Sequence, residues 1–421
     1  MFKKVKAGAL QLTMFIVIVI ALLLTAFIIL INTHKRLNIQ TDFVLETIGN
    51  ANKGIGLVIE SDIRLNDTTN INLRDEDFKN LKVHLSYWGL FEKVVSSSKI
   101  KTNTFKKMAL IGALQPQTNR TVLYVEDQNK PLVLVGNTKI QGLVYLPRQG
   151  VRTGNISGHS YYGSQLIYGM AKESGKLPEI LKETLEQLKI IQNKVDGIDQ
   201  NQFLDLSKTK TYQNSFLNPI QVIFSNSELT LSDVSITGHI LIQSKTKIVV
   251  EASSTLTDVI LIAPEIEIKN NTKGAFQAMA TKEITIGENC SLSYPSAFVL
   301  NEDVKIVNNN TSNNQTPFIK VGKGSNLKGV IVYWGETKNY MAQVFIDEGV
   351  TITGEVYCNQ NLELLGTVHG SVFTSNFIAN QSGSSYQNHV YNATMSIDSL
   401  PQEYVGLTFE NSNKGVMKWL Y

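Results

Sequence analysis

The side chains that could do chemistry in this sequence are carboxylates and histidines spread through its C-terminal half. An acid/base pair or a calcium site in a polysaccharide-cleaving enzyme needs carboxylates that converge on one groove. These carboxylates form no recurring column, and the histidines are isolated, which is more typical of structural roles. The residues are Asp233, Asp258, Glu267, Glu283, Glu302, Asp347, Glu355 and Glu363, with His239, His369 and His389.

Other catalytic signatures are absent from the sequence. It contains no Ser-His-Asp signature, phosphate-binding glycine loop or metal-ligand spacing. The only cysteines, Cys290 and Cys358, occupy strand-like positions, where a buried apolar thiol is expected rather than a disulfide or a catalytic pair. We therefore predict no catalytic, cofactor-binding or metal-binding residues, and a protein that is not an enzyme.

One stretch has the composition of a binding surface. Residues 147–169 (PRQGVRTGNISGHSYYGSQLIYG) are rich in Gly and Tyr and include Arg148, Arg152 and His159. One interpretation is an aromatic, weakly basic surface for a glycan or a partner protein. The other, which we favour, is a glycine-turned coil whose edge is covered by Tyr161 and Tyr162.

A repeat organises the C-terminal half. From Val344 to Phe373 the chain divides every six residues into VFIDEG, VTITGE, VYCNQN, LELLGT and VHGSVF. An apolar residue opens each unit, single apolar residues alternate with polar ones, and glycines stand where short strands would turn. This rhythm predicts a β-solenoid, whose coils consist of three short strands.

The same repeat extends towards the N-terminus at three times the period. Apolar residues recur 18 positions apart (266 − 248 and 284 − 266), and this spacing predicts columns of stacked side chains. Between Glu228 and about Ala379 there is room for roughly seven or eight coils. A β-sandwich is the alternative, but its strands recur less regularly. The columns are Ile248, Ile266 and Ile284; Val250, Ile268 and Ile286; and Ile262, Ala280 and Phe298.

The stretch GVTITGEVYCNQNLELLGTVHGSVF (349–373) resembles the bactofilin, or polymer-forming cytoskeletal, family. The resemblance implies a short right-handed β-helix that associates end to end, without catalytic residues. Hexapeptide-repeat acyltransferases share the six-residue rhythm, and a resemblance to them would make His239 or His369 catalytic. Such enzymes use cytosolic acyl donors. A domain on the outer side of the membrane would not meet these donors, so this role is disfavoured.

The N-terminus has the pattern of a membrane anchor. Ala7 to Ile31 contain no charge and would extend ~37 Å as a helix, enough to cross a bilayer. Lys3, Lys4 and Lys6 precede this run, against Lys35 and Arg36 after it, so the positive-inside rule leaves the N-terminus in the cytoplasm. We predict a single-pass protein of the cytoplasmic (inner) membrane, with the chain after Asn32 extracytoplasmic or periplasmic.

The opening KKVKAGALQLTMFIVIVIALLL also resembles a type IV prepilin leader, in which a short basic segment and a glycine, here Gly8, precede an apolar helix. At the fifth position after Gly8 this chain has Thr13, where most pilins have Glu. The resemblance implies processing before Ala9 and a role as a minor subunit of a secretion or pilus-type envelope assembly.

Seven segments are predicted after these observations are combined. A cytoplasmic leader and membrane helix (1–31) continue into a membrane-proximal helix (32–62), whose apolar face packs on a small β-rich stalk segment (63–120) through Trp88 and Phe91. A first solenoid-like segment (121–170) is followed by an amphipathic helical insertion (171–198), with its helix over Leu177 to Val195, and by the main solenoid (199–385). The C-terminal segment (386–421) is expected to cap the last coil through Trp419, Leu420 and Tyr421, and 307–317 is a polar loop.

The overall charge narrows the possible partners. Lys and Arg total 39 against 36 Asp and Glu, without a basic run beyond the N-terminus, so no nucleic-acid partner is predicted. The predicted function is that of a membrane-anchored, non-enzymatic structural or interaction scaffold. Its expected partners are the lipid bilayer, an envelope protein or a second copy, and cell-wall glycan. The alternatives are a pilin-like minor subunit and a polysaccharide-binding or -cleaving β-helix protein.

Overall fold

The computed structural model describes residues 8–61, 63–73, 78–116, 118–191, 197–302, 316–336, 339–410 and 412–420. These residues form two compact units. Unit 1 comprises Met1–Val58, Ile63–His84 and Val95–Lys107, and unit 2 comprises Ile59–Asp62, Leu85–Val94 and Met108–Tyr421. The prediction of a mainly β chain with one long apolar N-terminal helix is confirmed.

Two α-helices and one 3₁₀ helix are described: α1 (Gly8–Glu60), α2 (Lys182–Ile191) and a 3₁₀ turn (Gln200–Gln202). The apolar run and the membrane-proximal segment are therefore one continuous helix. The apolar first part of α1 is exposed and long enough to cross a membrane. Lys3, Lys4 and Lys6 lie outside the described residues.

The strands are numbered in chain order. They are β1 (Thr68–Ile71), β2 (Lys79–Trp88), β3 (Phe91–Ile100), β4 (Asn103–Leu114), β5 (Thr121–Val125), β6 (Leu132–Val135), β7 (Lys139–Gln141), β8 (Leu143–Leu146), β9 (Val151–Thr153), β10 (Asn155–Ile156), β11 (His159–Ser160), β12 (Ala171–Glu173), β13 (Thr211–Asn214), β14 (Gln221–Ser225), β15 (Leu229–Leu231) and β16 (Ser235–Gly238). Then follow β17 (Ile240–Ser244), β18 (Lys247–Val250), β19 (Thr255–Ile262), β20 (Glu265–Ile268), β21 (Lys273–Ala280), β22 (Glu283–Ile286), β23 (Ser291–Asn301), β24 (Phe318–Val321), β25 (Asn326–Trp334), β26 (Val344–Ile346), β27 (Thr351–Leu364), β28 (Thr367–Gln381), β29 (Ser384–Gln387), β30 (His389–Tyr391), β31 (Thr394–Ser396), β32 (Val405–Gly406) and β33 (Lys414–Leu420).

In unit 1 the last four turns of α1 pack on a sheet. The buried residues of the helix recur every three or four positions, from Thr47 to Val58, as an amphipathic helix requires. At Gly54 a Cβ atom would lie 2.1 Å from the Ser96 Oγ and 3.1 Å from a methyl group of Leu81, so a larger residue would require these side chains to move. The Phe43 and Phe78 rings meet edge to face at 6.3 Å.

The strands of the smaller sheet have the order β1-β2-β3-β4-β32, and β33 also pairs with β4. In the segment predicted as a cap, Trp419 and Leu420 of β33 pair with Ala109 and Met108 of β4. Tyr421 lies outside the described residues. An apolar C-terminal segment can complete either a sheet or a cap, and its sequence does not distinguish the two.

Trp88, predicted to pack against the N-terminal helix, contacts aromatic rings within unit 2. Its ring lies 5.3 Å from Phe216 and 4.7 Å from His239. Its indole N–H donates to the carbonyl oxygen of Asp258 at 3.0 Å. The side chain is therefore part of the unit 2 core.

Most of unit 2 is a large parallel sheet with registers that follow the repeat. Ile248 is aligned with Ile266, and Ile266 with Ile284, as the 18-residue spacing predicted. The column of Val250, Ile268 and Ile286 is likewise aligned. In the six-residue frame Val344, Val350, Val356, Leu362 and Val368 are each at most 1% exposed.

The third predicted column is wrong. Ile262 is aligned with Met279, 17 residues on (279 − 262), and Ala280 with Leu300, 20 residues on (300 − 280). Register shifts in β19, β21 and β23 account for these unequal steps. A bulge adds or removes a residue at a bend while the strands on either side keep their pairing.

The parallel sheet does not follow chain order. The segment predicted as a separate first solenoid pairs beyond the C-terminal strands: Leu123 of β5 is aligned with Val372 of β28. In the same way β7 pairs with β31, and β6 with β30. Both β30 and β31 lie in the segment predicted as the cap. β31 is a strand of the large parallel sheet, and β30 belongs to a separate three-stranded parallel sheet with β6 and β9. One continuous apolar core contains residues from Val122 to Met395.

The helix of the insertion begins later than predicted. α2 begins at Lys182 rather than near Leu177, since Ile180 makes a β-bridge with Phe409 before the helix starts. Its buried residues are Thr184, Leu188 and Ile191. Residues 192–196, and 307–315 of the predicted polar loop, lie outside the described residues.

Candidate functional site

The carboxylates that could have formed a catalytic groove have separate partners. Asp258 accepts from Lys418 Nζ at 2.6 Å, and Glu267 pairs with Lys247 at 2.6 Å and with Lys269. Glu363 accepts from the backbone N–H of Asn380 at 2.9 Å and from its amide at 2.7 Å. Within the described ranges no three His, Cys, Asp or Glu side chains converge as metal ligands.

The histidines are also dispersed. His239 is 8% exposed, stacks on Phe216 at 5.0 Å, and its Nδ1 lies 2.9 Å from the Asn218 carbonyl oxygen. His369 Nδ1 lies 3.2 Å from the Ser396 hydroxyl. Burial lowers the pKa of His389, and the Arg152 charge acts in the same direction. Each ring is engaged by its own local contacts, as structural histidines are.

Both cysteines are buried free thiols, as the sequence predicted. Burial raises the pKa of the Cys358 thiol to about 12, and also raises that of Cys290. A thiol with so high a pKa is protonated at neutral pH and is a poor nucleophile.

Among the carboxylates that the structure describes, Glu355 combines full burial with a raised pKa. Its side chain is fully buried, and its carboxylate accepts hydrogen bonds from the Gln115 amide and, at 2.6 Å, from the Leu407 backbone N–H. Burial raises the pKa of Glu355 to about 7, although these two hydrogen bonds oppose the rise. A pKa near neutrality is common at functional sites, so Glu355 is the leading candidate for acid/base chemistry.

The segment that covers Glu355 is the C-terminal strap, which we define as residues 400–409. Arg120 donates to the carbonyl oxygen of Pro401 at 2.7 Å and also to that of Gln402. The Tyr294 hydroxyl donates to the Val405 carbonyl at 2.7 Å. Together with the bond from Leu407 to Glu355, these bonds tie the strap to three separate parts of unit 2.

The strap leaves no space for a substrate at Glu355. A Cβ atom at Gly406 would lie 2.2 Å from the Glu355 Oε2, and the nearby Tyr404 is only 4% exposed. A general acid must reach the atom that it protonates. Glu355 therefore acts as a buried acceptor that holds the strap, and its raised pKa follows from that burial.

Glu355→Gln should remove a pH dependence of stability. The folded-state pKa of about 7 exceeds the reference value of 4.5, so the folded protein holds a proton that the unfolded chain releases between these pH values. Stability from this group is thus complete below pH 4.5 and falls by about 3 kcal/mol as the pH rises to 7. The amide introduced by Glu355→Gln does not ionise. Its oxygen can still accept from the Leu407 N–H, and its NH₂ group can donate to Gln115 if the Gln115 amide flips.

Thermal unfolding at pH 5 and pH 8 measures this difference. We expect the parent protein to lose more stability than Glu355→Gln between the two pH values, whereas the control Glu363→Gln should follow the parent. Equal losses in the parent and Glu355→Gln would contradict a raised pKa at this position.

The two adjacent tyrosines of the Gly- and Tyr-rich segment have different environments. Tyr161 forms a parallel bridge with Gly136 and packs against the apolar core, which fits the edge-covering interpretation. Tyr162 is 61% exposed. Arg148 pairs with Glu173 at 2.7 Å, but both side chains are largely exposed, so the pair adds little stability. His159 lies 6.1 Å from the Tyr391 ring.

A row of stacked rings crosses the parallel sheet near this segment. Consecutive ring centroids are 5.1–6.5 Å apart and consecutive planes are inclined by 18–35°. The Lys172 Nζ lies 5.8 Å from the Tyr145 centroid. This aromatic row consists of Trp334, Tyr357, Phe373, Tyr124 and Tyr145.

The aromatic row is poorly suited to bind a sugar. Because the rings stack on one another, their faces are used within the row, and Phe409 packs 4.9 Å from Phe373. A sugar ring would need a free aromatic face. The row instead links successive strands, which is a structural role for aromatic pairs.

Sequence analysis missed both Glu355 and the aromatic row. The row joins residues from strands far apart in the chain, such as Phe373 and Tyr124. The alternation of polar and apolar residues does not show which strands are neighbours. Glu355 was recognised only as one of several scattered acids. The only sequence signal for the burial of Glu355 is its position directly before Val356 of the repeat, and that signal is weak.

Comparisons with known proteins add little. No family model matches the chain, and no curated protein matches it. Among solved structures, the competence-associated pilin ComZ from Thermus thermophilus is similar at 9% identity, over 85% of this chain and 86% of that chain. The TM-score is 0.20, which is too low to indicate a shared fold. The bactofilin and prepilin resemblances stay predictions from the residues quoted above.

Proposed function

We propose that this protein is a single-pass membrane protein that displays a β-solenoid outside the cytoplasmic membrane as a non-enzymatic structural or interaction scaffold. The observation that carries the proposal is α1, an uninterrupted helix with an exposed apolar first part and a packed last part. An exposed apolar run of this length is stable in a bilayer but not in water. The basic residues that precede it favour an N-terminus in the cytoplasm.

Strand pairing supports the solenoid. β18 pairs with β20, while β16 and β17 both pair with β19, so strands of one repeat meet their counterparts in the next. A stack of this kind buries its core only between neighbouring repeats. The outward residues are then free to vary with the partner. The separate partners of Asp258, Glu267, Glu355 and Glu363 support the non-enzymatic role.

The topology is tested with reporter fusions. A phosphatase fused after Asn32 or after Tyr421 should be active only outside the cytoplasm, because the proposed span is single. The matched fusions to a reporter that works only in the cytoplasm should be inactive. Activity of the cytoplasmic reporter at either position would overturn the proposed topology.

A second candidate function is that of a pilin-like subunit of an envelope assembly. Unit 1 favours it, because a long N-terminal helix packed on a small sheet through Gly54 and Ile55 is the arrangement of pilin-like proteins. Processing of the leader would make Ala9 the first residue of the mature chain. A mass spectrum of the purified protein distinguishes the two candidates, since a chain that begins at Met1 would exclude the processed pilin.

A further inference from the structure

Unit 1 contains a cavity of about 620 Å³ between the middle of α1 and the turn that joins β3 to β4. Its lining combines basic, apolar and neutral polar side chains. Lys35, Arg36 and Lys101 provide positive charge, while Ile39, Phe43 and Val44 provide an apolar wall. A site with both properties suits an amphipathic anion rather than a soluble inorganic ion.

The positive charge is not balanced at the cavity. Among the described residues, none that lines it is a carboxylate. Of the two acids on this part of α1, Glu46 pairs with Lys79, and Asp42 does not line the cavity. The same hairpin also carries the exposed Lys99 and Lys106, which strengthen the local positive potential.

The apolar wall is held in place by packing and is partly exposed. Phe43 is fixed edge to face against Phe78, and the Lys101 Nζ lies 4.4 Å from the Phe43 centroid. Ile39 is 44% exposed and Val44 is 43% exposed, although both follow the uncharged membrane run. Apolar surface beside cations is therefore presented at one site.

The height of the cavity along α1 identifies its surroundings. The uncharged run ends at Ile31, and Arg36 lies five residues later, or ~7.5 Å at the rise of an α-helix. Polar headgroups extend ~5–8 Å beyond the hydrocarbon on each side of a bilayer. The cations would thus lie at the depth of the lipid phosphates, if α1 spans the membrane as proposed.

We propose that this cavity binds an anionic phospholipid of the bilayer that α1 spans. Lys35, Arg36 and Lys101 face the phosphate, and Ile39, Phe43 and Val44 contact the glycerol and the first acyl carbons. An anionic headgroup is preferred over a zwitterionic one, because a zwitterionic headgroup brings its own cation near the three basic side chains. The proposal rests on the membrane-spanning role of α1.

Native mass spectrometry of the full chain tests the preference. The protein is purified in detergent and equilibrated with equal amounts of phosphatidylglycerol and phosphatidylcholine of the same acyl chains. We expect the parent to retain phosphatidylglycerol in excess. The variant Lys35→Gln, Arg36→Gln, Lys101→Gln should reduce that excess at least tenfold, since each juxtamembrane cation contributes roughly fivefold at low ionic strength.

A matched control neutralises three exposed lysines of unit 2, as Lys130→Gln, Lys273→Gln, Lys328→Gln, and should behave as the parent. Equal retention of the two lipids by the parent, or an equal excess in both triple variants, would overturn the proposal. Displacement of the lipid by millimolar glycerol phosphate would also overturn it, because the apolar wall would then contribute nothing.

Failure of the lipid site and failure of the proposed membrane span give different results. Sedimentation of each variant with membranes after an alkaline wash reports the span alone. A parent protein that stays in the membrane without lipid preference contradicts only the cavity. A parent protein released by the wash contradicts the membrane span itself.

Discussion

Val356→Asp is expected to lower the free energy of unfolding by about 4 kcal/mol or more, and the melting temperature by on the order of 10 °C. Val356 is fully buried and aligned between Ile331 and Val372, which are also fully buried. A carboxylate at this position would have no partner, so it must either stay ionised in an apolar core or take up a proton. Thermal unfolding at pH 7 measures the loss.

Thr353→Asp is the matched control on the same strand. Thr353 is half-buried and aligned with the exposed Lys328 and with His369. A carboxylate at this position keeps contact with water and lies near a cation, so we expect a change within about 1 kcal/mol. If Val356→Asp unfolded at the temperature of the parent, the assignment of Val356 to the core column would be wrong.

Gly370→Ala is the second substitution with a large expected effect, about 3 kcal/mol or more. Gly370 has φ +150°, and an added Cβ atom would lie 1.8 Å from the carbonyl oxygen of Gly354. Gly354 in turn has φ +145°, and an added Cβ atom there would lie 1.9 Å from the carbonyl oxygen of Gly329. The three glycines form one column, so a methyl group must push apart two backbone segments that are paired on both sides.

Gly383→Ala separates the two causes of that loss. Gly383 also has positive φ, +77°, but an added Cβ atom would meet nothing within 4 Å. We expect it to cost about 1 kcal/mol through backbone conformation alone. Equal losses for the two variants in denaturant unfolding would show that the backbone spacing at Gly370 can relax, contrary to the prediction.

The two experiments examine different requirements of the same repeat. Val356→Asp tests the burial of the apolar column inside the sheet. Gly370→Ala tests the close approach of two backbone segments at a bend. If both positions behave as expected, stability depends on contacts between successive repeats. Such contacts leave outward positions such as Thr353 free for a partner, as the proposed scaffold function requires.

Several features follow from the sequence alone because they depend on near neighbours in the chain. The uncharged run after Gly8 requires a helix, since an apolar segment of that length in any other form leaves its backbone groups unpaired in a membrane. The spacing of Ile248, Ile266 and Ile284 sets their register, because equal steps return equal faces to the core. Cys358 of β27 is buried as its strand-like position predicted, and Cys290 is buried directly before β23.

Other features were decided only by the tertiary structure. The segment of β5 to β12 pairs beyond β28 and β31, and β33 joins β4, although each has the same alternation as strands paired in chain order. The burial of Glu355 depends on the strap, which comes from a distant part of the chain. Backbone hydrogen bonds are chemically alike along every strand edge, so alternation specifies which face of a strand is buried. Which strand edges pair depends on the total packing energy of all the strands. That total cannot be read from the residue pattern of a single sequence.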